Sequence, residues 1–307
     1  MLVTVAICTR NRCDALERTL RSLAAVVVPP GLSWEIVVVD NGSSDETTGA
    51  IAKFATALPV RALVEPRIGL SHARNAAVAA ARGEYMLWID DDVLVDSEWL
   101  AAYHDAFREW PDAAFFGGPI VPLFEGDPPP WLPGALPHVG NAYAALDLGN
   151  APVALTESTL PFGANLAVRT AEQRQCAYDP ALGRRDTLLY AGEEWAVLQE
   201  LLRRGASGRW VPAARIRHVI PAARQSVRYL RRYYTGNGFS LARHRNVAGE
   251  KTLFGRPRWA WREAVTQEIA YRVRRLYAPS DVWSPHLKRA SIAWGLVRTP
   301  RRPANVS

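Results

Sequence analysis

Three consecutive aspartates, Asp90, Asp91 and Asp92, follow directly after the apolar run 85–89. This run predicts a buried strand of a parallel sheet, with the aspartates at its carboxyl end, where open α/β sheets bind ligands. Adjacent carboxylates repel one another unless a positive charge neutralises them, and Mg²⁺ or Mn²⁺ suits such oxygen ligands. One interpretation is therefore a divalent metal site. The alternative is a solvated acidic turn that caps the helix predicted to start near Ser97.

Polar residues also follow the first two predicted strands. Thr9, Arg10 and Asn11 occupy the loop after the first strand, and Asp40 lies at the carboxyl end of the second. Because the carboxyl ends of parallel strands form one ligand-binding edge, these residues are candidates for the same site as the aspartates. The alternative for Asp40 is a role limited to forming the turn that follows it.

The elements that position these residues repeat along the first third of the chain. Residues 1–110 alternate apolar strands, short polar loops and helices, with strands predicted near Leu2, Glu35, Val60 and Glu84. This alternation predicts an α/β fold with a mostly parallel, Rossmann-like sheet flanked by helices. Asp14 and Glu17 are interpreted as a capping box of the first helix, and serines 43 and 44 as caps of the second.

The chain from Arg224 onward has a helical pattern with predicted breaks at 236–238, 255–257 and Pro279. Arginines and large aromatic residues dominate it, a mixture that suits a membrane interface with anionic lipids. The alternative is a helical hairpin that packs on the core and has a basic outer face.

Composition limits the classes of protein that remain. The 307 residues suffice for one large domain or two small ones, and the three cysteines have neither metal-site spacing nor an even number. The start of the chain leaves no room for a signal peptide before the first strand, and no run of 18 apolar residues occurs, so a cytoplasmic protein is expected.

The charge is divided unevenly along the chain. Residues 1–202 contain 14 Lys and Arg against 26 Asp and Glu, whereas residues 203–307 contain 23 against 4. The basic end predicts an anionic partner, such as a membrane surface or a phosphate-bearing substrate. Nucleic acid is not expected, because no nucleic-acid motif accompanies the charge and the acidic part would repel a phosphate backbone.

Four segments in order carry a resemblance to a known family: 4–12 (TVAICTRNR), 37–45 (VVVDNGSSD), 69–75 (GLSHARN) and 89–92 (IDDD). Together they resemble glycosyltransferase family 2, strongly over about residues 1–120 and more weakly to about His218. The resemblance implies a GT-A fold and an enzyme that transfers a sugar from a nucleotide donor with inversion at the anomeric carbon.

The resemblance also implies roles for the residues at the predicted sheet edge. Thr9, Arg10, Asn11 and Asp40 would hold the nucleoside, and Asp90 and Asp91 would complete the donor site. Asp92 would be the direct ligand of Mn or Mg, which stabilises the charge of the departing diphosphate.

Basic residues and one histidine are assigned to the donor by the same resemblance. Arg67 and Arg74 would lie near the pyrophosphate or base, although either could form a surface ion pair instead. His218 would be a further metal ligand or phosphate contact, and a structural histidine is its alternative.

An inverting transfer needs a base that deprotonates the acceptor hydroxyl. Segment 192–194 resembles the family's Gly-Glu-Asp segment, so Glu194 would be the base and Glu193 would lie beside the acceptor or sugar. The alternative is that these carboxylates only complement a helix dipole. Asn165 would be a polar contact to the acceptor or sugar, and its alternative is a buried asparagine that satisfies a turn.

These interpretations predict one domain arrangement and one function. Residues 1–222 would form the catalytic domain, with a nucleotide-binding half (1–110) and an acceptor half (111–222), and residues 223–307 a basic helical extension. The expected enzyme is a metal-dependent inverting glycosyltransferase acting in cell-surface polysaccharide or lipid-linked glycan synthesis, peripheral on the inner membrane face. The same fold acting on a soluble small-molecule acceptor, and a non-catalytic nucleotide-sugar binder, are the alternatives.

Overall fold

The computed structural model describes residues 1–180, 192–244 and 251–299. Parts of the predicted basic extension, 245–250 and 300–307, lie outside these residues. The described strands are β1 (Leu2–Thr9), β2 (Ser33–Asp40), β3 (Val60–Val64), β4 (Tyr85–Asp90), β5 (Val93–Val95), β6 (Ala113–Gly117), β7 (Ile120–Phe124), β8 (Ala154–Leu155), β9 (Leu166–Arg169), β10 (Ser207–Trp210), β11 (Ile216–Ile220), β12 (Thr252–Leu253) and β13 (Arg256–Pro257).

Helices connect and cover these strands. The described α-helices are α1 (Cys13–Leu23), α2 (Thr47–Ala52), α3 (Leu70–Ala80), α4 (Trp99–Glu109), α5 (Leu132–Val139), α6 (Thr170–Arg174), α7 (Glu193–Arg203), α8 (Val227–His244), α9 (Arg258–Arg274) and α10 (Ser280–Arg298). Among the residues that can be described, no helix is long and apolar enough to cross a membrane.

The described chain forms two compact units. The first comprises 1–123, 144–180 and 192–220, and contains both larger sheets. The second comprises 124–143, 221–244 and 251–299, and consists mainly of α5, α8, α9 and α10. The division of the catalytic domain into halves at residue 110 and its end at residue 222 stay predictions.

The first unit is built on a sheet with the strand order β3-β2-β1-β4-β9-β6-β10-β8. Strands β1 to β4 pair in parallel, and β9 runs antiparallel between β4 and β6. The apolar runs of β1, β2 and β4 are buried on both faces, as a sheet covered by helices on both sides requires. The predicted mostly parallel α/β fold is therefore confirmed.

The starts of α1 and α2 differ from the prediction. Neither helix has a side-chain cap from its own N-cap residue, so the capping box of Asp14 and Glu17 and the serine caps were wrong. Asp45 serves both helices instead, because its carboxylate accepts from the backbone N–H of Cys13 at 3.1 Å and of Thr47 at 3.2 Å. Asp45 is 32 residues from Cys13, so this hydrogen bond joins the loop after β1 to the loop after β2.

A second sheet in this unit has the order β5-β11-β7. Strand β5 follows the three aspartates directly, and β11 pairs antiparallel with it so that His218 is opposite Val93. The backbone N–H of Val219 donates to the carbonyl of Asp92 at 2.8 Å. This pairing brings a histidine from late in the chain to the aspartates.

In the second unit, helix α8 passes without interruption through 236–238, where a break was predicted. Gly238 faces Gly295 of α10, and a Cβ at Gly238 would lie 2.8 Å from the Gly295 Cα. These glycines therefore permit close contact of two helices. The predicted breaks at 255–257 and Pro279 do separate elements, since a two-stranded hairpin precedes α9 and Pro279 precedes α10.

Candidate active site

The register of the parallel strands brings the predicted polar residues to one edge. Thr9 pairs with Asp40 across β1 and β2, and Cys8 pairs with Asp90 across β1 and β4. The three strands therefore end side by side, and the loops that follow them are neighbours. This is the ligand-binding edge that an α/β sheet offers.

Asp90, Asp92 and His218 form a cluster with metal-ligand character. One ligand atom from each residue lies within 4.8 Å of the others. His218 Nε2 is 3.2 Å from Oδ1 of Asp92, and both side chains are buried. Two carboxylates and one imidazole are a donor set that fits a divalent cation such as Mn²⁺ or Mg²⁺, so the residues present agree with the metal expected from the sequence.

Arg12 neutralises the aspartates in the structure. Its Nη1 is 2.7 Å from Oδ1 of Asp91, and its Nη2 is 2.6 Å from Oδ2 of Asp92. Asp91 also accepts from the hydroxyl of Thr9 at 2.7 Å. Burial, with a further contribution from Asp92, raises the pKa of Asp91 to about 6, although Arg12 opposes the shift. Asp91 is thus turned towards Thr9 and Arg12.

The two loops after β1 and β2 are joined by hydrogen bonds. Asn11, which has a φ of 53°, accepts from the Ser44 N–H at 2.7 Å, and its own N–H donates to Ser43 Oγ at 3.0 Å. Asp40 accepts from the Ser43 N–H at 2.9 Å, which is the turn contact considered as its alternative role. The predicted nucleoside residues are thereby held in one fixed pair of loops.

Asn41 fixes the next loop, which leads into α3. Its Nδ2 donates to the carbonyls of Glu65 and Arg67, and its Oδ1 accepts from the Gly69 N–H at 2.8 Å. The Arg67 guanidinium forms a salt bridge with Glu65 at 2.8 Å, and its side chain is 69% exposed. Arg67 therefore has the surface ion pair that the sequence left as its alternative.

A pair of glutamates contacts a buried arginine in the same unit. Arg74 on α3 contacts Glu193 at 2.9 Å and Glu194 at 3.5 Å, and both glutamates lie in the first turn of α7. The Arg74 guanidinium also lies 5.3 Å from the ring centre of Tyr178 and 5.8 Å from that of Trp88. Arg74 is thus surrounded by two carboxylates and two aromatic rings.

Glu193 and Glu194 have different environments. Burial, and then repulsion by Glu194, raise the pKa of Glu193 to about 7, although Arg74 opposes the shift. Oε2 of Glu193 is buried and has no hydrogen-bond partner among the residues that the structure describes. The Glu194 side chain is 18% exposed, against 4% for Glu193, so Glu194 is the more accessible carboxylate of the two.

Cys8 is not a nucleophile candidate. Burial raises the pKa of its thiol to about 12, and Asp90, Asp91 and Glu193 also raise it while Arg74 lowers it. A raised pKa keeps the thiol protonated at neutral pH, which disfavours a nucleophilic role for this cysteine.

Asn165 is wholly buried, and all its polar side-chain atoms are bonded. Its Oδ1 accepts from Trp99 Nε1 at 3.0 Å and from the Tyr103 hydroxyl at 2.9 Å. Its Nδ2 donates to the carbonyls of Pro119 at 3.2 Å and Ala214 at 2.7 Å. This geometry agrees with the alternative interpretation of Asn165, a buried asparagine that holds loops together, and the acceptor contact stays a prediction.

Comparison with known proteins finds a family that part of the chain is similar to. Residues 4–147 match the family model described as Glycosyl transferase family 2. Over these residues the chain is similar to glycosyl transferase family 2. The match ends before Asn165, His218 and the Glu193–Glu194 pair, so the family model itself covers the aspartates and the loops after β1 and β2.

Curated relatives match this chain over part of their own length. The pre-mycofactocin glycosyltransferase of Mycobacterium tuberculosis (strain H37Rv) is 28% identical over 270 residues, covering 84% of this chain and 52% of the relative. The succinoglycan biosynthesis protein ExoM of Rhizobium meliloti is 28% identical over 132 residues, covering 42% of each. The matched residues thus span about half or less of the length of these relatives.

Solved structures share the fold. S. aureus TarS 1–349 in complex with UDP-GlcNAc has a TM-score of 0.57 at 15% identity, over 97% of this chain and 91% of that one. The mannosyltransferase PcManGT from Pyrobaculum calidifontis, in complex with GDP-Man and Mn²⁺, has a TM-score of 0.58 at 17% identity, over 96% and 87%. The predicted GT-A fold is therefore confirmed.

Sequence reasoning missed two residues that organise the candidate active site. Arg12 lies at the end of the first motif and was not assigned a role, although a cation next to three carboxylates is expected on charge balance alone. Asn41 was interpreted only as part of a turn, yet it holds the loop 65–69. No local pattern in the sequence distinguishes such an asparagine from an ordinary turn residue.

Proposed function

We propose that the chain is a metal-dependent inverting glycosyltransferase that transfers a sugar from a nucleoside-diphosphate sugar to a hydroxyl acceptor. The observation that carries this proposal is the cluster of Asp90, Asp92 and His218 at the carboxyl edge of the sheet, beside the loops after β1 and β2. The family match over residues 4–147 supports it.

The donor would be held by residues of three neighbouring loops. Thr9, Arg10, Asn11 and Asp40 are proposed to contact the nucleoside, because their loops are fixed to one another at the strand ends. Asp90, Asp92 and His218 would hold Mn²⁺ or Mg²⁺. When bound, this ion would stabilise negative charge on the departing diphosphate.

Arg12 is proposed to share the neutralisation of the aspartates. The three carboxylates carry more negative charge than one guanidinium offsets, which leaves charge for a divalent cation. Arg12 also supplies donors that suit a phosphate oxygen if its guanidinium turns away from Asp91.

Glu194 is proposed as the general base, and Glu193 as the residue that keeps it ionised. The two carboxylates share one guanidinium, so their mutual repulsion favours a proton on one of them. Glu193 is the more buried, and its pKa is raised to about 7. A proton held on Glu193 leaves Glu194 as the carboxylate that can accept the proton of the acceptor hydroxyl.

For the acceptor we favour a glycan or lipid-linked oligosaccharide, with a soluble small molecule as the alternative. One relative is named for succinoglycan biosynthesis, and the basic chain end suits an anionic surface. The cytoplasmic location stays a prediction.

The test is incubation of the purified protein with a panel of nucleotide sugars and Mn²⁺, in which release of nucleoside diphosphate is measured. Wild-type protein should release diphosphate from one donor class, and Asp92→Ala should abolish this release. Asp96→Ala is a matched control, because Asp96 follows the same strand β5 and its side chain is 44% exposed. Full activity of Asp92→Ala would contradict the metal assignment.

A further inference from the structure

Helix α9 has apolar side chains on two opposite faces. Ala260, Ala264 and Tyr271 lie on the buried face. On the other face, Val265, Ile269, Val273 and Leu276 are exposed by 46%, 57%, 49% and 86%. Spacings of four, four and three residues place these four side chains along one line of the helix and its last turn. We call this line the α9 face.

The charged side chains beside the α9 face are mostly basic. At 100° per residue, Arg258, Arg262 and Arg272 lie on the same side of the helix as the exposed apolar line. Both acids of the helix are paired with arginines: Glu263 pairs with Arg289 of α10, and Glu268 pairs with Arg231 of α8 and with Arg272, whose charge it offsets. Arg258 and Arg262 form no salt bridge with any residue in the described part of the chain.

Exposed aromatic rings lie at both ends of the α9 face. At one end, Phe254 is 77% exposed at the turn between β12 and β13, where it and Gly255 both have positive φ. Trp259 is 37% exposed in the first turn of α9. At the other end, Tyr277 is 76% exposed. Exposed aromatic rings that accompany an exposed apolar line suit a segment that lies at the depth of lipid headgroups.

We propose that the α9 face docks on an anionic lipid bilayer, with α9 lying in the plane of the interface. The exposed line supplies apolar area to the acyl boundary, and the arginines meet anionic headgroups. The helix is too charged to span the bilayer. This docking does not depend on the proposed catalytic activity, since the residues of the α9 face are separate from Asp92 and Glu194.

A second copy of the chain is a poorer occupant of the same face. A two-fold contact would place one α9 face against another, and each presents arginines without an exposed acid. Such a pairing would bring like charges together as apolar surface is buried. Anionic headgroups, in contrast, complement the arginines that surround the apolar line.

The experiment is co-sedimentation of the full chain with vesicles of phosphatidylcholine, alone or mixed with phosphatidylserine, at several salt concentrations and without nucleotide sugar. We expect binding to the mixed vesicles that weakens with salt, and little binding to phosphatidylcholine alone. The double variant Ile269→Ser/Leu276→Ser should bind about tenfold or more weakly, because two large apolar side chains no longer enter the interface. Arg258→Gln/Arg262→Gln should also bind several-fold more weakly.

Matched controls separate the α9 face from general apolar and basic surface. Val64→Ser changes a side chain that is 67% exposed in the first unit, and Arg21→Gln removes an arginine that is 68% exposed. Both should bind like wild type. Equal binding by the α9 variants, or binding that ignores phosphatidylserine, would overturn the proposal. A dimer without lipid that the Ile269→Ser/Leu276→Ser variant loses would also overturn it, in favour of a second copy.

The catalytic proposal is tested separately from docking. Release of nucleoside diphosphate by the Ile269→Ser/Leu276→Ser variant in solution should equal that of wild type, since neither residue is in the candidate active site. Loss of vesicle binding with retained donor turnover supports the α9 face as a docking surface. A protein that binds vesicles through this face but turns over no donor would retain the docking proposal and contradict the catalytic one.

Discussion

Nη2 of Arg12 lies 2.6 Å from Oδ2 of Asp92. The guanidinium therefore contacts the carboxylate that we propose as a metal ligand, on the oxygen opposite to the one that faces His218. Arg12 is thus a built-in cation at the metal cluster. It stabilises the cluster without metal, and by Coulomb repulsion it weakens the binding of a metal ion.

The variant Arg12→Gln should make these two effects visible. Without metal its free energy of unfolding should be about 1–3 kcal/mol lower than that of wild type, because Asp91 and Asp92 lose their counter-charge. It should bind Mn²⁺ several-fold more tightly than wild type, since the competing cation is gone. Denaturant unfolding in EDTA and calorimetric titration of Mn²⁺ measure the two effects.

The matched control is Arg21→Gln on α1, which removes an exposed arginine paired with Glu17. This variant should change neither the stability without metal nor the affinity for Mn²⁺. Mn²⁺ binding that is weaker in Arg12→Gln would show that Arg12 supports the ion instead of competing with it.

Glu194→Gln should remove the general base. Turnover should fall by about 10²–10⁴, while the dissociation constant of the nucleoside diphosphate stays near the wild-type value, because the base acts only in the chemical step. Initial rates of donor turnover and calorimetry of nucleotide binding give the two values. Glu200→Gln, further along α7 and paired with Arg203, is the control and should have wild-type rates. A turnover within tenfold of wild type would reject Glu194 as the base.

Glu193→Gln should make stability less dependent on pH. Folding raises the pKa of Glu193 from 4.5 to about 7, so the folded protein binds this proton more tightly than the unfolded chain. Wild-type stability should therefore fall as pH rises from about 4.5 through about 7, and the loss is complete above that range. The variant cannot ionise, and its stability relative to wild type should rise with pH, by up to about 3 kcal/mol.

Urea unfolding at pH 5 and pH 8 measures this difference. Glu157→Gln, an exposed glutamate of the same unit, is the control and should show no such change between the two pH values. The difference in free energy of unfolding between Glu193→Gln and wild type could instead be the same at both pH values. Folding would then not raise the pKa of Glu193, and Glu193 would not hold the proton that our account places there.

Much of the fold follows from the sequence because it depends on local pattern. The apolar runs of β1, β2 and β4 identify strands, and the polar residues after them mark the ligand edge of the sheet. The aspartates and the loops beside them could be predicted from this alone. The carboxyl ends of neighbouring parallel strands must meet, whatever else the chain does.

The rest depends on contacts between distant residues. Arg74 and Glu193 are 119 positions apart, and their pairing requires the first turn of α7 to lie within reach of an arginine on α3. The break predicted at 236–238 was wrong because Gly238 meets Gly295 of another helix, which overrides the weak helix propensity of glycine. The predicted capping box was wrong for the same reason, since Asp45 from a different loop binds the Cys13 N–H.

Asn165→Ala should test whether this residue is part of the scaffold. Removal of its side chain leaves the Trp99 donor and the buried Ala214 carbonyl without partners and takes one hydrogen bond each from the Tyr103 hydroxyl and the Pro119 carbonyl, so a loss of about 3–5 kcal/mol of stability is expected. Urea unfolding measures the loss, with the exposed Asn150→Ala as the control. Stability near wild type with impaired sugar transfer would instead indicate an acceptor contact.

The central claim is that Asp90, Asp92 and His218 hold a metal ion on which a nucleoside diphosphate binds. Calorimetric titration of a panel of nucleoside diphosphates into wild type and Asp92→Asn, with Mn²⁺ or with EDTA, tests it most directly. We predict that one diphosphate binds wild type with Mn²⁺, and that EDTA or Asp92→Asn abolishes this binding. Binding of equal strength in EDTA and in Asp92→Asn would contradict the account.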